Sequence, residues 1–575
     1  MKRYWKYIRP YIQYYILGPC FMMMEVVGDV LLPYMLAKII NQGIAEKNVA
    51  YIIKIGAIMG LISVIMAVGG ILGAWFASKA AMNFGADLRM DLFEKIQQFS
   101  FQNIDNFSTG SLITRLTNDI TQIQNMIMMT LRMCLRSPGI LIGAMVMAFV
   151  ISPKLAAIFI IVLPVLAVLI VVIMRRAFPQ FRTLQEKLDA LNSCIQEGLV
   201  GIRLIKSFVR GDYEEMRFEK RNQQLKEANL TAMKTMLLYT PLMTLALNIT
   251  TVVVVWSGGN MIVAGNMQVG DLTAFTNYIV QIMSSLTMLS IAFLNWARAI
   301  ASFRRVGEVL DEKIDLTDEN AKHKDRAVCK GSVEFQNVSF RYYKNSPEWV
   351  IENISFKLEA GKTLGIIGST GSGKSTLVSM IPRLYDTDEG TVLVDGINVR
   401  DYGLKPLREG IGMVLQNNTL FSGSITENLK WGDEHADEKA VRKAAQNAQA
   451  AGFIDSFKDG YRTRLEQSGN NVSGGQKQRL CIARALLKCP KILILDDSTS
   501  AVDTATERAI REALHSEYKD MTKIIIAQRI RSVMDADEIL VLDNGKTAGF
   551  GTHEQLLADC PVYREIYDVQ NGREE

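Results

Sequence analysis

Cysteine gives this sequence no framework. Its seven residues (Cys20, Cys134, Cys194, Cys329, Cys481, Cys489 and Cys560) are odd in number, scattered and never spaced as CxxC, which excludes a disulfide scaffold and a thiolate metal site. A large charge of either sign is missing too. The 64 Lys and Arg against 59 Asp and Glu leave a formal +5 over 575 residues, so there is no dense basic face for a polyanion and nucleic-acid binding is not indicated. Histidine is scarcer still: only His323, His435, His515 and His553 occur, an absence that matters at one position below. Low-complexity segments and short internal repeats are absent as well. What the chain does have is apolar residues, 49% against 21% charged, with a mean hydropathy of +0.12. Soluble proteins of this size average below zero, so a membrane part is expected, and the length suits two substantial domains better than one.

Uncharged apolar runs of about 20 residues, the length that crosses a hydrocarbon core, fall at 14–36, 55–77, 136–151, 155–174, 235–263 and 273–297. Six spans are therefore expected. The third is short, because Arg132 and Arg136 interrupt its start, and only Ser152-Pro153-Lys154 separates it from the fourth, which reads as a tight external hairpin. The basic lead Met1-Lys2-Arg3 with Arg9 precedes the first run. No small-residue cleavage pattern follows it, so the run is read as a retained helix rather than a signal peptide. It starts too early to leave room for an N-terminal peptidase domain. The long connections 78–135 and 175–234 are rich in Lys and Arg, which places them and the N-terminus in the cytoplasm by the positive-inside rule. Their helical periodicity suggests paired antiparallel extensions reaching roughly 40 Å from the membrane at 1.5 Å per residue.

Composition changes near residue 300. A charged linker is expected at 311–330, between a membrane domain at 1–310 and a domain at 331–575 in which β-rich runs alternate with helical patterns, the signature of an α/β fold. There the strand-like Thr363-Leu364-Gly365-Ile366-Ile367 leads into Gly368-Ser369-Thr370-Gly371-Ser372-Gly373-Lys374-Ser375-Thr376, with helix expected from Leu377. This is a P-loop in strand-to-helix context. Its glycines let backbone N–H groups close around phosphates, Lys374 reaches the β and γ phosphates, and the Ser375 hydroxyl can ligate Mg²⁺. A second apolar strand, Ile492-Leu493-Ile494-Leu495, ends in Asp496, the residue type that holds Mg²⁺ beside a P-loop.

Between the two lies Val472-Ser473-Gly474-Gly475-Gln476-Lys477-Gln478-Arg479, and with it the order of motifs resembles the ATP-binding cassette (ABC) family over nearly the whole chain. The resemblance is to a type IV exporter half: an α-helical membrane domain of six spans with long cytoplasmic extensions, followed by an α/β P-loop nucleotide-binding domain. It implies ATP and Mg²⁺ as cofactors, a multi-pass location in the plasma membrane with the nucleotide-binding domain cytoplasmic, contact with membrane lipids, and a small-molecule substrate. Residue by residue, it implies that Tyr342 stacks on adenine and that Gln416 is the Q-loop glutamine near Mg²⁺ and the transmembrane interface. Ser473, Gly474, Gly475 and Gln476 match the signature motif that touches nucleotide held by the opposite subunit, and Asp503 matches the D-loop. Phe107-Ser108-Thr109-Gly110-Ser111-Leu112 and Lys206-Ser207-Phe208-Val209-Arg210 resemble coupling-helix neighbourhoods, the alternative being solvated helix faces.

Two positions depart from the family. Exporters that hydrolyse ATP at a site place Glu after the strand-ending Asp, and this sequence has Asp497. The carboxylate is held back by one methylene, about 1.5 Å, a misplacement that can cost about 100-fold in rate. The switch histidine is here Gln528, and none of the four histidines lies in a motif that could replace it. Glutamine can hydrogen-bond a γ-phosphate but cannot carry the charge or move the proton of imidazole. Leu465-Glu466-Gln467-Ser468-Gly469 also departs from the usual order before the signature. These features resemble the degenerate-site subunit of bacterial heterodimeric multidrug exporters, with a second exporter half as partner. A homodimeric exporter with Asp497 as a slow base, a lipid flippase and a nucleotide-gated channel or regulatory subunit are the competing readings. For the substrate there are two hints: Glu25 and Asp29 on one face of the first span, which suit a cation or an interhelical clamp, and methionines within spans (Met22, Met23, Met24, Met283, Met288), which suit an adaptable apolar wall or plain core filling.

Overall fold

The computed structural model describes residues 2–344 and 346–571. It forms two units, one made of the chain up to Gln97 with Gly110–Asp311, the other of Gln98–Thr109 with the chain from Glu312 onward.

The first unit is helical. Five stretches among the described residues are long and apolar enough to cross a membrane: Trp5–Ile44, Val49–Gln97, Thr109–Ile151, Pro153–Val200 and Gly211–Val263. The sixth expected run lies in the 43-residue helix Val269–Asp311, where several side chains between 290 and 298 fall outside the described residues. The expected hairpin is there: Ser152 leaves helical geometry, its Oγ accepts from the Leu155 N–H at 3.4 Å, and Pro153 opens the next helix, where a missing N–H costs nothing. Helices Ile12–Lys38 and Val49–Gln97 pack through small residues. A Cβ on Gly18 would sit 3.3 Å from the Ala77 nitrogen, and one on Gly73 would sit 3.1 Å from the Gly18 carbonyl, an approach that larger side chains would prevent. The acids flagged in the first span face a counter-charge: Arg136 lies 2.8 Å from Glu25 and 3.4 Å from Asp29.

The second unit is built on two main sheets. Four strands, β1 (Val333–Phe340), β2 (Ile351–Leu358), β4 (Glu389–Val394) and β5 (Ile397–Asn398), pair in the order β2-β1-β4-β5. Six others, β3 (Thr363–Gly368), β6 (Ile411–Val414), β9 (Ile492–Asp496), β10 (Thr522–Ile526), β11 (Glu538–Asp543) and β12 (Lys546–Gly551), run in the order β12-β11-β3-β10-β9-β6, parallel except for the β11/β12 pair. The short strands β7 (Gly423–Ser424) and β8 (Arg464–Leu465) pair with each other. A parallel sheet must be covered on both faces, and the two-residue period shows how. In β9, Ile492 and Ile494 join one buried cluster while Leu493 and Leu495 join another across the sheet. The ends of β3, β9 and β10 thereby meet at one edge, where the phosphate-binding motifs lie.

The segment Gln98–Thr109 of the first long connection belongs to this unit. Its contact is made by the short helix Phe101–Asp105, capped by Ser100, where Asp105 accepts from the Tyr385 hydroxyl at 2.8 Å and Asn103 donates to the Lys313 carbonyl at 2.9 Å.

Candidate functional site

The site grows from the end of β3. Gly373, with φ +89, caps the helix Lys374–Ser379, and a Cβ there would press within 2.9 Å of the Val350 carbonyl, so only glycine fits. The helix begins at Lys374, three residues earlier than the sequence suggested, because the glycine turn itself starts it. The Lys374 ammonium folds back over the loop, donating to the Gly368 carbonyl at 2.9 Å, the Ser369 carbonyl at 2.7 Å and the Ser372 hydroxyl at 3.4 Å. Burial pushes its pKa below the ordinary lysine value, against the pull of Asp497 and Asp496. These carbonyls hold the lysine where an incoming phosphate would replace them.

Ser375 donates from its hydroxyl to Asp496 Oδ1 at 3.0 Å, so the P-loop serine and the strand-ending acid share one position. Asp496 is 4% exposed. Desolvation raises its pKa, and so does the neighbouring Asp497, while Ser375 and Lys374 pull it down. A buried carboxylate beside a hydroxyl is the donor set that suits a hard divalent ion.

Asp497 follows directly, in left-handed backbone geometry with φ +46, its N–H held by the Ile526 carbonyl at 3.1 Å. Its Oδ2 accepts a hydrogen bond from Gln528 Nε2 at 3.0 Å. Desolvation raises the Asp497 pKa; the Gln528 hydrogen bond, Lys374 and Arg529 oppose it. The two departures from the family pattern are thus one hydrogen-bonded pair. None of the four histidines, all among the described residues, stands in for Gln528: His553 bonds the Tyr563 hydroxyl at 2.7 Å, His323 pairs with Tyr402, His515 lies in the last turn of the helix Thr504–Glu517, and the His435 N–H donates to Asp433 at 3.0 Å.

Tyr342 is joined to the P-loop by its hydroxyl, 2.8 Å from Thr376 Oγ1, with its ring set edge-on to Phe340 and Tyr385 and partly open to solvent. Gln416 lies exposed beyond β6, and its side chain makes no hydrogen bond among the described residues.

The signature residues form a different surface. Ser473 caps the helix Gly474–Leu487 in a reciprocal box with Gln476: its Oγ accepts from the Gln476 N–H at 3.3 Å, and Gln476 Oε1 accepts from the Ser473 N–H at 2.9 Å. Ser473 and Gly474 stay exposed. A Cβ on Gly475 would lie 2.7 Å from the Ala501 carbonyl, which explains the second glycine. Asp503 caps the helix Thr504–Glu517, accepting from the Thr506 N–H at 3.0 Å, and that backbone bond, with the Thr506 hydroxyl, lowers its pKa.

Two residues escaped the sequence reading. Gln478, 5% exposed, accepts from the Ala501 N–H at 3.0 Å and donates to Ser500 Oγ at 3.2 Å, tying the signature helix to the segment before Asp503. Gln570 reaches from the C-terminal helix Pro561–Asn571 to the main chain around Gln528. Gln478 sat in the quoted motif but had no stated partner. No local pattern marks Gln570.

Comparison with known proteins agrees with this geometry. Residues 15–286 match the ABC transporter transmembrane region and residues 351–500 match ABC transporter. The chain is 39% identical over 574 residues to "Uncharacterized ABC transporter ATP-binding protein YfiB" of Bacillus subtilis (strain 168), covering 100% of this chain and 99% of that protein. It is 33% identical over 584 residues to "Putative multidrug export ATP-binding/permease protein YgaD" of the same organism, covering 99% of each. Among solved structures, "Structure of a bacterial Atm1-family ABC exporter with ATP bound" superposes with a TM-score of 0.81 at 24% identity, over 98% of both chains.

Proposed function

The chain belongs to the ABC transporters, as an exporter-type half that couples a helical membrane domain to an ATP-binding domain, and from that premise we propose that it works as one half of a heterodimer whose own P-loop site binds MgATP and scarcely hydrolyses it. The observation that carries this is the 3.0 Å hydrogen bond from Gln528 to Asp497. The carboxylate in the catalytic position is one methylene short, is anchored at its N–H, and spends an oxygen on an amide that cannot accept a proton in return. It has neither the reach nor the proton relay that polarising water requires.

In this reading Gly368–Thr376 cradle the phosphates, Lys374 exchanges its loop carbonyls for phosphate oxygens, and Tyr342 offers its ring to adenine. Ser375 and Asp496 would hold Mg²⁺, which neutralises charge on the β and γ phosphates when bound, and Gln416 would join them from the loop after β6. Ser473 and Gly474 have no task in their own site and are exposed, with Gln476 half-buried behind them, which suits donation to a γ-phosphate on the partner's P-loop. The tip of the second long connection supports a partner as well: Val200 is 82% and Val209 88% exposed, with Phe208 and Leu204 beside them uncovered, a patch that a lone chain leaves in water. The basic connections favour the cytoplasmic side for the nucleotide-binding unit. The cargo is a small apolar or amphipathic molecule, in keeping with the multidrug export name of one relative. Pairing of Arg136 with Glu25 and Asp29 favours the interhelical clamp over a free cation site.

The test is made on the purified full chain in lipid nanodiscs. It should bind MgATP saturably while turning it over far more slowly than its paired complex. Rapid hydrolysis by the chain alone would overturn the degenerate-site reading.

A further inference from the structure

The main chain on either side of Arg529 is held by one side chain from 40 residues away. Gln570, near the end of the helix Pro561–Asn571, accepts from the Ile530 N–H through Oε1 at 2.8 Å and donates through Nε2 to the Gln528 carbonyl at 2.8 Å. A primary amide is the side-chain group that can give and take in one plane, as a neighbouring strand would. The loop needs this help. Ile530 starts a 3₁₀ turn, Ile530–Ser532, whose preceding residue, Arg529, offers no capping hydrogen bond, so its leading N–H would otherwise be orphaned. Gln570 supplies the cap from outside the segment.

The helix that carries Gln570 is firmly seated. Tyr563 is fully buried and bonded to His553, and Ile566 and Tyr567 pack against a cluster that contains Ile530, Val533 and Ala527. A cleft of about 730 Å³ has Asp497, Ser500 and Gln528 on its lining together with Tyr567 and Gln570. Gln570 therefore fixes the backbone of the same residue whose side chain reaches Asp497.

We infer that Gln570 is a positioning residue for the switch loop, through which docking of the C-terminal helix sets how Gln528 is presented to Asp497 and to the γ-phosphate. The inference rests on the reading of Gln528 as the switch position given above. It concerns retention of nucleotide, not its hydrolysis.

The test is a double-mutant cycle on the full chain in nanodiscs, reading release of a labelled, non-hydrolysable ATP analogue, AMP-PNP with Mg²⁺. Gln570→Ala should speed release about tenfold, the scale of one to two net hydrogen bonds. In a Gln528→Ala background the same change should have no further effect. Gln570→Glu keeps the acceptor for Ile530 but turns a carboxylate oxygen onto the Gln528 carbonyl, and should also speed release, again only where Gln528 is present, which decides the matter if Gln570→Ala does not fold. Equal acceleration in both backgrounds would mean that Gln570 only holds the domain together, and no acceleration in either would mean that it positions nothing; each overturns the inference. Because the analogue is not hydrolysed, the result is separate from the degenerate-site reading, which stands or falls on the turnover of ATP itself.

Discussion

Replacing Asp497 by Asn removes a charge and keeps the shape. The Asn Oδ1 can still accept from Gln528 Nε2, now 3.0 Å from the carboxylate. The left-handed backbone at φ +46 is one that Asn tolerates well, and the N–H bond to Ile526 is untouched. Removing this charge also takes away one cause of the raised Asp496 pKa, so the Ser375–Asp496 pair is not harmed. Any change in rate therefore reports the charge alone. A working general base contributes about 10²- to 10⁴-fold, whereas a carboxylate held about 1.5 Å back contributes little, so Asp497→Asn should leave turnover of the paired complex within about threefold. The converse change is informative in the other direction. Asp497→Glu with Gln528→His restores reach and a proton relay together, and should raise turnover at this site by about 100-fold, or about 2.7 kcal/mol in barrier. Steady-state ATPase in nanodiscs measures both, with the partner's catalytic Glu changed to Gln as the reference for a true loss. A drop of more than about tenfold from Asp497→Asn would show that Asp497 is the base after all, and the asymmetric mechanism would have to be abandoned.

Ser473→Ala, or Gly474→Val, should cut ATPase of the pair by about 100-fold, the scale of losing an oxyanion-type donor; normal turnover would remove the cross-site role, and a melting curve separates this from the lost helix cap. Lys374→Ala should weaken MgATP binding to this chain about 10- to 100-fold, as a charge-assisted contact is lost; unchanged affinity by titration would exclude the lysine from the phosphate site. Asp395 accepts from four consecutive N–H groups, Cys329 to Ser332, at 2.7 to 3.0 Å; desolvation raises its pKa, yet those bonds outweigh it and the net shift is downward. Its stabilising effect is then complete above the unfolded value near 3.9 and fades as pH falls through the lower folded value, so Asp395→Asn should melt several degrees below wild type at pH 7 and converge with it in acid. An equal gap at both pH values would contradict this. Arg136→Ala should destabilise the membrane unit by stranding Glu25 and Asp29, and Glu25→Gln with Asp29→Asn in the same chain should recover part of the loss; absence of recovery in melting would argue against the clamp.

What was legible in the sequence was what is local in the chain. The P-loop reads from nine consecutive residues because phosphate binding is done by consecutive N–H groups at a turn, and Asp496 reads from the buried strand that ends in it. The membrane runs read from length and hydropathy alone, and the weakness of the third was itself a signal: Arg136 shortens that run because it is there to meet Glu25 and Asp29 more than 100 residues earlier. The pairing was invisible, since nothing in the local pattern says which face of one helix meets which face of another. Gln570 and Gln478 were missed for the same reason. Gln570 works on main-chain atoms about 40 residues away, and Gln478 on the Ala501 N–H and the Ser500 hydroxyl more than 20 residues on; a distant main-chain partner leaves no residue-type signature to match.

The same distinction explains why Asp497 and Gln528 mean more together than apart. From the sequence they are two independent departures, each open to the objection that a neighbouring group compensates. In the folded chain Ile526 holds Asp497 by its N–H, β10 delivers Gln528 alongside, and the amide meets the carboxylate directly. Compensation would require a proton-accepting side chain bonded to Asp497, and its neighbours do not offer one: Lys374 is engaged by carbonyls, and none of the four histidines, all among the described residues, hydrogen-bonds to Asp497. A Glu–His pair at these positions would share a proton and could pass one on. An Asp–Gln pair has no such proton to share, so it can hold a γ-phosphate in place but has little with which to drive its departure. Under that reading the site is suited to staying closed around ATP while the chemistry is done across the dimer, with Ser473 and its helix N-terminus as this chain's contribution to the other site.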